Sequence, residues 1–172
     1  MSGLMTDQEK QYDYHKHQSV YISDYIKFAD GKAGVTLSVI GVMIAFFMNS
    51  MKDLWKDGFT KQVYQDWPFY AFAISLGVML IGVFYLGWTI WPRYKLDKSL
   101  YHSWGGISTF SAEEYSVKLG DVFSESEKFL DDLSSQNHSL ATVCKRKYEK
   151  LRTAYWYLGI GVVLASTTWL IT

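Results

Sequence analysis

The sequence predicts an all-α membrane protein: three transmembrane helices and a helical cytoplasmic module formed by extensions of the spans. Three observations predict it. Residues 33–51, 67–91 and 153–172 are uncharged runs of 19, 25 and 20 positions. At 1.5 Å of rise per residue even the shortest covers about 28 Å, close to the ~30 Å hydrocarbon core of a bilayer. Nearly all the charge lies between these runs, and no stretch of useful length alternates with the two-residue period of a strand. A mean hydropathy of −0.04 looks soluble only because the average hides this segregation.

The elements follow in order. Residues 1–7 read as a frayed end. Residues 8–32 contain no proline and place Tyr14, Tyr21, Tyr25 and Phe28 on one face at helical spacing. This N-terminal helix of the 1–32 segment continues without a break into a first span at 33–50, because Gly31 and Gly34 weaken a helix without ending it. Residues 51–67 mix lysines with aspartates around Asp57-Gly58, a turn signal, and form a short periplasmic connection. The second span, 68–92, opens with Pro68 in its first turn and closes with Trp88, Trp91 and Pro92. Residues 93–152 form the cytoplasmic module. There Ser111-Ala-Glu-Glu114 is a capping box that starts a helix at about 112–123, and a longer helix begins near 126. That longer helix runs through KRKYEKLR into the third span, 153–172.

Composition narrows the function. Seventeen basic and seventeen acidic residues give a net charge of zero, which offers no support for a nucleic-acid polymer as partner. Aromatic residues make up 17%, and many Trp and Tyr flank the apolar runs as interface belts do. The single Cys144 excludes an intrachain disulfide, and no His, Cys and carboxylate spacing matches a metal site. Residues 1–30 are polar, so no cleavable signal peptide is expected and the first span serves as insertion signal. Eight of the ten Lys and Arg in 93–152 cluster beside its two spans, against three lysines in the intervening connection. The positive-inside rule then puts the N-terminus and the 93–152 module in the cytoplasm.

The chemistry-bearing features each have a plain structural reading. Asp30 and Lys32 sit at a span's edge, where a snorkelling lysine and its partner need no ligand. The same charges, beside glycines that admit close approach, equally form the base of a cytoplasmic pocket. The cluster Lys145-Arg146-Lys147 with Lys150 and Arg152 fixes topology by charge alone, attracts anionic headgroups or holds a phosphate. No nucleophile–base pair, P-loop or dinucleotide fingerprint is present, so no catalytic residue is assigned and an enzyme is disfavoured. Small residues within the spans (Gly34 with Ser38, Gly77 with Gly82, Gly161 with Ala165) permit close helix contact, and self-association into a homo-oligomer is expected.

Three segments carry a resemblance: IKFADGKAG entering the first span, SLYHSWGGIS followed by EEYSVKL, and QNHSLATVCKRKYEKLRTA entering the last. Together they resemble the Pycsar transmembrane effectors, over most of the chain from about residue 20 onward. Gly31 stands where that family more often has threonine. The resemblance implies an antiphage effector of the bacterial inner membrane. A partner cyclase triggered by infection makes cCMP or cUMP, and the effector senses it, disrupts the membrane and arrests growth. The ligand is then a cyclic pyrimidine mononucleotide, with no other cofactor. Such a ligand needs a cation, an aromatic plane and hydrogen-bonding groups. Within the resembling segments these are Lys32, Arg146 or Lys147 for charge, Trp104, Tyr115 or Tyr148 for stacking, and Asp30, Asn137 or Ser103 for hydrogen bonds. The rival reading is a constitutive membrane adaptor that recruits a cytosolic partner without a small ligand.

Overall fold

The computed structural model describes residues 6–50, 67–91, 104–124 and 126–171. The connection expected at 51–67, apart from Trp67, and the candidate Ser103 lie outside them. The described residues form five helices and no strand: α1 (Asp7–Ser50), α2 (Trp67–Ile90), α3 (Trp104–Ile107), α4 (Ala112–Ser124) and α5 (Ser126–Ile171). Three of these, α1, α2 and α5, are long and apolar enough to cross a membrane.

Helix ends follow local chemistry. The N-terminal end is held from Thr6 rather than frayed to residue 7. The Thr6 N–H donates to the Glu9 carboxylate at 2.7 Å, and the Glu9 N–H returns to Thr6 Oγ1 at 3.3 Å, a reciprocal capping box. The expected box at α4 forms likewise, with the Ser111 N–H on Glu114 at 3.0 Å and the Glu114 N–H on Ser111 Oγ at 3.2 Å. Helices α1 and α5, of 44 and 46 residues, each pass from a charged sequence into an uncharged one without a break.

The chain divides into two compact units, Met1–Lys27 with Pro92–Lys145, and Phe28–Trp91 with Arg146–Thr172. In the first unit the N-terminal part of α1 meets the first part of α5. Tyr12 stacks on Phe129 with centroids 5.8 Å apart. Asn137, almost fully buried, accepts a hydrogen bond from Ser19 Oγ and donates to the His15 carbonyl at 3.0 Å. Burial pushes the Asp132 carboxyl and the Cys144 thiol above their ordinary pKa values. A hydrogen bond from Tyr21 to Tyr25 raises the Tyr21 phenol.

The second unit is a three-helix bundle. Its core joins Ala33 and Ile40 of α1, Met79 and Leu86 of α2, and Leu151, Ala154 and Leu158 of α5. A smaller cluster of Phe47, Phe72 and Ala165 extends it. Two glycines set the spacing between α2 and α5. A Cβ at Gly161 would collide with Met79 and come within 3.1 Å of the Ser75 carbonyl oxygen, and one at Gly82 would lie 2.6 Å from Leu158 Cγ. Gly34 and Gly77, also expected to serve close packing, have nothing within 4 Å of such a Cβ. Outside the core the bundle exposes Val35 and Val42 on α1, and Ile74, Phe84, Val163 and Leu170, each more than half accessible; an apolar exterior of this kind suits a lipid surrounding.

Candidate functional site

The second unit concentrates charge where its helices are about to become, or have just ceased to be, uncharged. Lys147 on α5 is the centre of one cluster. Its Nζ donates to Asp30 Oδ1 of α1 and, at 2.9 Å, to the carbonyl of Thr89 near the end of α2. The lysine side chain is 16% exposed and the aspartate 35%, so the pair is partly withdrawn from water. Helix α2 has no basic residue in its own last turn. Lys147 supplies that cation from another helix, satisfying a carbonyl that the helix cannot pair internally.

Beside this cluster α1 and α5 form an open groove of about 310 Å³ lined by Lys32, Tyr148, Leu151, Arg152, Tyr155 and Trp156. Lys32 Nζ lies 4.3 Å from the centroid of Phe28 one turn earlier, a cation–π contact that holds the ammonium at the rim. The hydroxyls of Tyr155 and Thr36 approach to 3.3 Å. Among the described residues neither Lys32 nor Arg152 is paired with a carboxylate. The groove thus offers two cations, two phenolic hydroxyls and an indole that is 70% exposed, the equipment for a small planar anion.

The candidate residues distribute unevenly. Lys32 and Tyr148 line the groove. Asp30 and Lys147 bond to each other, and Arg146 is exposed on α5. Asn137, Tyr115 and the α3 residue Trp104 belong to the first unit. There Asn137 bridges Ser19 and His15, and the Tyr115 ring lies 6.2 Å from that of Phe110. Sequence reasoning named Arg152 only within the basic cluster and passed over Tyr155 and Trp156. Their signal was present: residues 148, 152 and 155 fall at i, i+4 and i+7 on one face of α5. Among the described residues no group of His, Cys, Asp and Glu is placed to hold a metal ion.

Comparison with known proteins follows the same lines. The family profile described as the Pycsar effector protein domain matches residues 14–172. The chain is similar to the Pycsar effector protein SaPycTM of Staphylococcus aureus, 27% identical over 154 residues that cover 88% of this chain and 90% of the relative. No solved structure matches.

Proposed function

The chain belongs to the Pycsar effector family, as a membrane-spanning effector rather than a cyclase, and from that premise we propose that it converts a cyclic pyrimidine mononucleotide signal into membrane damage. In this reading it lies in the bacterial inner membrane with its N-terminus in the cytoplasm. A partner cyclase makes cCMP or cUMP on phage infection, and binding of that nucleotide leads to loss of membrane integrity and growth arrest.

The observation that supports this reading best is the groove of Lys32, Tyr148, Arg152, Tyr155 and Trp156. Lys32 and Arg152 take the cyclic phosphate, whose single charge they more than match. Trp156 and Tyr155 supply faces for the pyrimidine, and the Tyr155 and Thr36 hydroxyls reach the ribose. Lys147 stands next to Lys32's helix already bonded to Asp30. A phosphate held by Lys32 of α1 and Arg152 of α5 changes how these two helices meet beside that pair, which is how binding alters the packing of the spans. The ligand shifts the bundle only by its differential affinity for the two packings. About 3 kcal/mol of such coupling changes the population ratio roughly 150-fold.

Calorimetry of the full chain in detergent with cCMP and with cUMP tests the reading. One of them binds, and Lys32→Ala or Arg152→Ala weakens that binding by about tenfold or more, as loss of a charge-assisted hydrogen bond does. In cells, a membrane-potential dye reports depolarisation only when the matching nucleotide is supplied. A folded protein that binds neither nucleotide would overturn the sensing half.

A further inference from the structure

Helix α1 carries a seven-residue repeat of exposed residues, which α5 borders at its end, where the Phe46 ring meets Trp169 at 6.0 Å. Tyr14, Tyr21, Phe28, Val35 and Val42 recur at intervals of seven, and each is more than half exposed. The position four residues after each is Gln18, Tyr25, Lys32, Val39 and Phe46, of which Tyr25, Val39 and Phe46 are exposed aromatic or aliphatic residues. Spacings of four and three that alternate over five repeats trace the a and d positions of a left-handed coiled coil. Lipid gains nothing from such regularity, and it cannot cover Tyr14 to Tyr25, which precede the uncharged run. Next to the stripe, Gly31, Gly34 and Gly41 have open space where a Cβ would stand, room for a helix to come close.

We propose that this face of α1 is a parallel, in-register interface with α1 of a second copy, and that Lys32 of each copy faces the other across it. Copies inserted in one bilayer share an orientation, so the same residues meet at the same depth and the stripe is complementary to itself. Lys32 is the one charged residue in the ten seam positions. A lysine at a single a position fixes register at a cost in stability. Here the cost is the repulsion between two ammonium groups, and an anion held between them removes it. Lys32 also lines the groove, so a nucleotide phosphate bound there tightens the pair. This last link rests on the proposed function; the interface and the repulsion do not.

Disulfide cross-linking in membranes separates the two. In a Cys144→Ser background, Tyr21→Cys and Val35→Cys lie on the seam, and Lys16→Cys lies on the opposite side of the helix as control. The seam cysteines give covalent dimer and the control does not; equal yields would overturn the interface. Adding Lys32→Leu to either seam variant, with no nucleotide present, raises the dimer yield about tenfold, the size expected from removing one like-charge contact near a protein surface. An unchanged or lower yield would overturn the placement of Lys32. In the chain that keeps Lys32, cCMP or cUMP raises the yield as well. A seam that cross-links and responds to Lys32→Leu but to neither nucleotide upholds the interface and counts against the ligand reading alone.

Discussion

The same two helices, α1 and α5, build both compact units, yet they hold together by opposite means. In the first unit the contact described best is polar: Ser19, Asn137 and the His15 carbonyl form a hydrogen-bonded bridge, with Tyr12 on Phe129 beside it. In the second the helices meet through an apolar core of Ala33, Ile40, Met79, Leu86, Leu151, Ala154 and Leu158, with Gly82 and Gly161 at the closest approach. The difference follows from the solvent each part faces. Water rewards the burial of any apolar area, so a polar bridge there adds chiefly specificity. Lipid is as apolar as leucine, so spans associate by close fit of small residues and by polar groups that have no other partner.

The comparison breaks first at its tightest point. Gly161→Leu would force Met79 and the Ser75 backbone away from α5 and destabilises the bundle by about 3 kcal/mol or more. Gly77→Leu, on an open surface, leaves stability nearly unchanged. Reversible unfolding in mixed micelles, followed by circular dichroism, distinguishes them. Next is the ion pair of Lys147 with Asp30, which joins α5 to α1 in the bundle. Lys147→Ala strands Asp30 and the Thr89 carbonyl and costs about 2 kcal/mol. The double variant Asp30→Ala with Lys147→Ala loses less than the sum of the single losses, which a double-mutant cycle reads directly. The smallest effect falls in the first unit. Asn137→Ala removes a bridge between α1 and α5 and costs about 1 kcal/mol, seen as faster amide exchange near His15 and Ser19 with little change around Ala154.

Much of the architecture was legible because the membrane writes it in long uncharged runs, which need no tertiary information to find. The α4 start was legible from Ser111 with Glu114, and that of α5, near 126, from Ser124 with Glu127. The amino-terminal cap was equally open to reading, since Thr6 and Glu9 have the same spacing, but a chain end invites the assumption of fraying. The site was less legible. Lys32 and Tyr148 stood out by charge and type, whereas Arg152, Tyr155 and Trp156 resemble the basic and aromatic border that any span carries. That Asp30 meets Lys147 joins residues 117 positions apart, and no local pattern encodes such a pairing. Gly82 and Gly161 look no different in sequence from Gly34 and Gly77. Only the direction in which each helix face points decides which of them touches a neighbour.

The Thr89 carbonyl is tied to an ammonium group that belongs to a helix more than fifty residues further along the chain. During synthesis, therefore, α2 enters the bilayer with its trailing end unfinished, and only the arrival of α5 completes it. A truncated or stalled product keeps a dangling acceptor and an unanswered aspartate at the membrane surface.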